Sequence, residues 1–134
     1  MIDEEKVGRR DRNRFELEGY VGIINNIYTN PRGKLSLRFD LGQQDDKNTQ
    51  FVPIVIKGDL VESYGSEIKK GDHLTIKGRI VSYLKEVTID NDSHKERVIE
   101  ILGFEIEDKN KNITYKHDGS IVESTKELSV EMEK

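Results

Sequence analysis

The chain has 134 residues, with 22 Lys and Arg against 26 Asp and Glu, a formal net charge of −4, three His and no Cys. That length suits one domain around one core and is short for a conventional two-domain enzyme. The acidic balance argues against a protein that holds duplex DNA through overall positive charge. The lack of Cys excludes disulfides and Cys-ligated zinc or iron–sulfur centres, and no apolar run reaches the roughly 18 residues of a membrane span. A cytoplasmic protein without membrane contact is expected.

Residues 1–14 form a charged arm in which Arg9, Arg10, Arg12 and Arg14 gather near its end, diluted by Asp3, Glu4, Glu5 and Asp11. It reads either as a phosphate-contacting arm or as a solvated leader. From residue 15 to 23, Phe15, Leu17, Gly19, Val21 and Ile23 alternate with Glu16, Glu18, Tyr20 and Gly22, which predicts a half-buried first strand. Asn25, Asn26, Asn30, Pro31 and Gly33 interrupt the pattern. Leu35, Leu37, Phe39 and Leu41 then resume it as a second strand, with Lys34, Ser36, Arg38 and Asp40 on the other face.

A polar turn, QQDDKN, precedes FVPIVIKG, a β-branched third strand in which Pro53 predicts a bulge or an unpaired edge. DLVESYGSEIKK reads as a short helix capped by Asp59, with Leu60, Tyr64 and Ile68 covering a barrel end and Gly71 closing the excursion. In the fourth strand Leu74, Ile76, Gly78 and Ile80 form one face, while His73, Thr75, Lys77, Arg79 and Val81 offer a semi-polar, positive one. Tyr83–Ile89 continues the β character. DNDSHKE predicts an exposed loop, and RVIEILGFEIED a fifth strand carried by Val98, Ile99, Ile101, Phe104 and Ile106.

Five strands with a helix after the third describe an all-β protein, a five-stranded Greek-key barrel of the OB type. The domain is placed at 15–108, between the arm of 1–14 and a variable extension of 109–134. Within that extension Ile113 and Tyr115 face Ile121 and Val122 across His117-Asp118-Gly119-Ser120 as an added hairpin. The segment from Ser124, with Leu128 and Met132, reads as a short capped helix or a frayed tail.

Asn13-Arg14-Phe15-Glu16-Leu17-Glu18-Gly19-Tyr20-Val21-Gly22, then Phe39 and Leu41, Thr49 and Phe51, Val55, Gly58, Glu62, Lys70-Gly71, Ile76 and Gly78 fall in an order that resembles bacterial single-stranded DNA-binding proteins over roughly residues 13–106. The resemblance implies an OB-fold protein that coats single-stranded DNA in replication, recombination or transfer, often as a dimer or tetramer. It places Phe51 where family members commonly carry a base-stacking Trp. The ending ELSVEMEK does not resemble the family's Pro-Phe tip, which recruits genome-maintenance proteins; this points to a plasmid, phage or mobile-element form that coats strands without the host's complete partner network, with replication or transfer proteins as further candidate partners.

The site expected from these residues holds single-stranded DNA by stacking and phosphate attraction, with little sequence preference. Phe51 leads it, with Tyr20, Tyr28 and Tyr83 as further rings. Lys77, Arg79 and Tyr83 share one strand face and would form a continuous stripe. Arg38 and Lys34 lie opposite the apolar side of strand two, Arg32 sits in the preceding turn, and Lys85 belongs to the region of the loop before strand five, as do Lys95 and Arg97. Phe51 is equally readable as a core ring, and each cation as a solvated charge.

Single-stranded RNA would satisfy the same chemistry, and an OB-fold protein-interaction subunit or a purely structural barrel are the alternatives from other classes. No Walker A sequence, nucleophile elbow or dinucleotide fingerprint is present. The scattered His73, His94 and His117 and the loop aspartates lack metal-ligand spacing. The reading is therefore of a non-catalytic protein without metal or cofactor.

Overall fold

The computed structural model describes residues 11–123, so most of the charged arm and the helix expected from Ser124 lie outside the described residues. The elements are β1 (Phe15–Ile24), β2 (Tyr28–Thr29), β3 (Leu35–Asp45), β4 (Asn48–Lys57), α1 (Asp59–Tyr64), β5 (His73–Ile89), β6 (Asp92–Asp108), β7 (Ile113–Lys116) and β8 (Ile121–Glu123). β1, β3, β4, β5 and β6 close a five-stranded OB barrel. The ring runs β4-β3-β1-β5-β6, all antiparallel, and a single parallel pairing of Val55 with Leu102 joins β6 back to β4.

The alternating apolar residues fill the barrel. Leu37, Phe39 and Leu41 of β3, Ile54 and Ile56 of β4, Leu74 and Ile76 of β5 and Ile106 of β6 are all buried with Val21 of β1. α1 closes one end with Leu60, Val61 and Tyr64, and Tyr64 packs against Tyr115 of β7 with ring centroids 4.8 Å apart. The added hairpin of β7 and β8 is present and extends the sheet from β6.

The helix is shorter than its sequence pattern, and Asp59 does not cap it. Gly58 occupies the cap position at φ 66 without a side-chain cap bond, and Asp59 is the first helical residue. Pro53 causes no bulge, since the β3–β4 ladder runs in register from Ser36↔Lys57 to Asp45↔Asn48. The other edge of β4 meets β6 only at Val55, which leaves room for a residue lacking a donor. QQDDKN contributes only Asp46 and Lys47 to a turn, the remainder joining the two strands.

Two bulges redirect side chains that strict alternation had placed in the core. Between Val21 and Ile24 β1 advances three residues while β3 advances two, so Ile24 packs on the core and Ile23 points out, 66 % exposed. Between Lys77 and Gly78, Phe104 is the extra residue on β6. Gly78 is required there, because a Cβ would collide with the carbonyl oxygen of Leu102 and the Phe15 ring.

The largest departure is the expected loop DNDSHKE. β5 and β6 remain paired without a break from Gly78↔Gly103 to Ile89↔Asp92, turning only at Asp90 and Asn91, both at positive φ as a two-residue hairpin turn requires. β1 stops pairing with β5 at Gly78, so the ribbon beyond it leaves the barrel. Ile80, expected in the core, and Ile99 are exposed for that reason. Polar cross-strand pairs hold the ribbon, including Lys85↔Glu96, Glu86↔Lys95 and Thr88↔Ser93, whose hydroxyls lie 2.9 Å apart.

Candidate functional site

Each core residue of β3 alternates with one on the outer barrel wall, so Ser36, Arg38, Asp40 and Gly42 form an outward row. Tyr20 and Gly22 of β1 flank one end of that row, and Phe51 and Lys57 of β4 border its two ends. Two hollows open along it. Arg38 and Gly42, four residues apart on one strand, set them about 13 Å from each other, and Asp40 lies between.

The first hollow, of about 400 Å³, lies between the β1–β3 connection and the base of the ribbon. It gathers Tyr28, Lys34, Arg38, Lys57, Tyr83 and Glu100, with the amides of Asn25, Asn26 and Asn30 on its rim. Asn30 shapes the turn that brings Lys34 in, its Oδ1 accepting the backbone N–H of Arg32 and of Lys34 at 2.9 and 2.8 Å. At its base Glu100 is 2 % exposed. Arg38 Nη2 lies 2.6 Å and the Tyr83 hydroxyl 3.2 Å from Glu100 Oε2, and Lys57 Nζ lies 3.1 Å from Oε1. Burial pushes the Glu100 pKa up, but the hydrogen bonds and charges of Lys57 and Arg38 outweigh it and hold the carboxyl below its usual range. Glu100 is therefore a carboxylate at neutral pH.

The second hollow, of about 550 Å³, is lined by Tyr20, Gly22, Gly42, Phe51, Lys70 and His73, among others. Phe51 is not a core residue: its ring is 61 % exposed and lies over the backbone of Gly22 and Gly42. A Cβ added at Gly42 would sit 3.1 Å from Phe51 Cε1, and one at Gly22 3.4 Å, so the two glycines leave a flat floor for the ring. Tyr20 stacks on the His73 imidazole, centroids 4.4 Å apart and planes 11° from parallel. A nitrogen of His73 lies 2.7 Å from Glu18 Oε2. This end presents π faces, with Lys70 and Glu18 as its charges of fixed sign.

The expected stripe of Lys77, Arg79 and Tyr83 is not assembled in one hollow. Lys77 has Glu16 and Glu105 as its cross-strand neighbours, with Nζ 3.8 Å from Glu105 Oε2, and lines a separate depression with Arg14, Phe15 and Phe104. Arg79 borders residues 11–14. Of the three, only Tyr83 lines the first hollow. Arg32 is exposed at the turn, and Lys85 extends along the ribbon on the Tyr83 face opposite Glu96. Lys95 and Arg97 belong to the other ribbon face, where Arg97 bonds the Ser82 hydroxyl at 2.8 Å.

Lys57, Glu100, Lys70 and His73 are additions that sequence reasoning did not single out. Glu100 carried a signal, being a carboxylate inside the apolar run RVIEIL, and Lys57 ends an apolar strand. Among the described residues, no three His, Asp or Glu side chains gather as a metal site.

No protein-family model matches the chain, and no curated protein matches it in sequence. Among solved structures it is similar to the mitochondrial single-stranded DNA binding protein Rim1 from S. cerevisiae, with a TM-score of 0.55 at 15 % identity, over 72 % of this chain and 94 % of that one. At that identity the likeness is one of fold.

Proposed function

We propose that the outer face of β1, β3 and β4, with the base of the β5–β6 ribbon, binds single-stranded DNA without catalysis and with little sequence preference, as a protector of strands exposed in replication, recombination or transfer. The observation that carries this reading is the pairing of two adjacent hollows, one cationic and one aromatic, on the outside of an OB barrel. Phosphates would sit at Arg38, Lys57 and Lys34, while bases would stack on Phe51, Tyr20, Tyr28 and Tyr83. Every base has a π face, so such a surface reads little sequence. Duplex DNA keeps its bases stacked and so offers this face no open base surface to stack on. The fold likeness to a single-stranded DNA binding protein supports DNA over RNA.

Fluorescent oligo-dT titrated across a salt series, with oligo-U and a matched duplex as competitors, tests the reading. Micromolar or tighter binding that falls with salt and outcompetes both is the expected result. Negligible binding at low salt would overturn it in favour of a protein-interaction module. The second reading has its own support in the ribbon face that exposes Ile80, Leu84 and Ile99.

A further inference from the structure

Glu100 is an odd residue to find under a surface meant for a polyanion. It is buried, acidic and central to the cationic hollow, and its carboxylate cancels one of the positive charges around it. Burying a carboxylate is costly in desolvation, and paired buried charges often contribute little net stability compared with apolar side chains of similar volume. A stability role is therefore a weak explanation of its place.

Its contacts give a stronger one. Glu100 stands on β6, and its oxygens meet Arg38 of β3, Lys57 of β4 and Tyr83 of β5, one group from each of three other barrel strands. Arg38 and Lys57 retain 52 % and 38 % of their side-chain exposure, so both ends face the hollow while being tied below. A guanidinium carries five N–H donors and an ammonium three. One contact each with Glu100 fixes the direction of the group and leaves donors to aim at a phosphate. The Tyr83 hydroxyl bond fixes that ring beside them.

Resting on the proposed reading of this face as a strand-binding surface, we propose that Glu100 is a positioning residue: it holds Arg38, Lys57 and Tyr83 in one arrangement that meets a phosphate and its neighbouring base together. Long cationic side chains and a ring on a twisted ribbon otherwise lose rotamer freedom on binding, and prior ordering removes that loss. The carboxylate lowers the net charge of the hollow in exchange for geometry.

Charge counting and positioning predict opposite signs for Glu100→Gln, so the substitution decides between them. Removing a negative charge from a nucleic-acid face should tighten binding and steepen its salt dependence. An amide of the same shape, however, puts an N–H₂ donor toward Lys57 or Arg38 and cannot hold both.

The test is oligo-dT affinity across a salt series for the wild-type chain, Glu100→Gln, Tyr83→Phe and the double variant, with a thermal melt of each. The expected result is a folded Glu100→Gln protein that binds about tenfold more weakly, the loss of about one charge-assisted hydrogen bond, with no steepening of the salt slope. Tyr83→Phe keeps the ring and should weaken binding about threefold alone but add nothing on top of Glu100→Gln, as coupled residues do. Equal or tighter binding by Glu100→Gln, or full additivity of the two changes, overturns the inference. Should Glu100→Gln fail to fold, Tyr83→Phe alone decides, and wild-type affinity in it overturns the inference. A wild-type chain that does not bind oligo-dT overturns the reading of the face and this role together, whereas wild-type binding with an unimpaired Glu100→Gln overturns the role alone.

Discussion

The two hollows sit on the same row of β3 yet are built on opposite principles. At the Arg38 end, Lys34, Arg38, Lys57 and Tyr83 gather round one buried carboxylate, which holds Arg38 and Lys57 by ion pairs and the Tyr83 hydroxyl by a hydrogen bond. At the Gly42 end, Phe51 rests on bare backbone, Tyr20 is held by a stack on His73, and Glu18 meets the His73 imidazole. On the proposed reading, one end suits a charge that is the same in every nucleotide, the other a flat surface common to every base. Asp40 between them would repel a phosphate directly over the middle of the row, so on the proposed reading a strand would gain its charge contacts and stacking on Tyr28 and Tyr83 at one end, and stacking on Phe51 and Tyr20 at the other.

This division is sharpest in salt. Arg38→Ala with Lys57→Ala removes the two cations proposed to hold phosphates in the first hollow. Affinity for oligo-dT at low salt should fall about a hundredfold, the sum of two charged hydrogen bonds, and the slope of log affinity against log salt should flatten by about 1.4, at about 0.7 per phosphate. Phe51→Ala should cost about tenfold, within the range of one base–aromatic stack, and leave the slope unchanged. Equal slope changes in both variants would erase the distinction between the hollows.

Acid separates them by stability. Because the Glu100 carboxyl is held below its usual value in the folded chain, its ionised form favours the native state at neutral pH. That contribution is present above the unfolded value and is lost as pH falls through the lower folded one. Glu100→Gln lacks this dependence and leaves two cations without their partner. Its stability should lie below wild type at neutral pH by on the order of 1 kcal/mol, read as a lower melting temperature, and the gap should close as pH falls below the ordinary glutamate range and through the lower folded value. Phe51→Ala carries no such titrating group, so its difference from wild type should not follow that course.

Sequence alone revealed the barrel because its strands are buried on one face and polar on the other. Leu37, Phe39 and Leu41, or Leu74 and Ile76, leave little freedom in how they pack. It failed where that contrast disappears. The ribbon beyond Gly78 is wetted on both faces, so Ser93, Lys95 and Glu96 pair in a ladder with Thr88, Glu86 and Lys85 although DNDSHKE looks like a loop. Tyr20, Tyr28, Tyr83, Lys34 and Arg38 were legible as candidates for a surface site, since each stands out of the apolar alternation or in a turn, whereas Phe51 was singled out only through the family resemblance. Their grouping was not legible, because the hollows join residues from β1, β3, β4, β5 and β6 whose meeting depends on closure of the barrel. Glu100 was hidden by the same cause: its partners lie 62 positions away at Arg38 and 17 at Tyr83.

The smallest expected effect bears on Lys77 and Arg79, which alternation places on one strand face with Tyr83. Lys77 stands between Glu16 and Glu105, whose charges screen it from a phosphate, and Arg79 is turned toward residues 11–14. Surface pairs of this kind contribute about 1 kcal/mol or less to the fold. Lys77→Ala and Arg79→Ala should each change oligo-dT affinity less than about twofold, well short of the tenfold that one charged hydrogen bond represents. A loss from either comparable to that of Arg38→Ala would mean that a bound strand turns off the barrel face and follows β5 toward residues 11–14, making the row from Arg38 to Gly42 only part of its path.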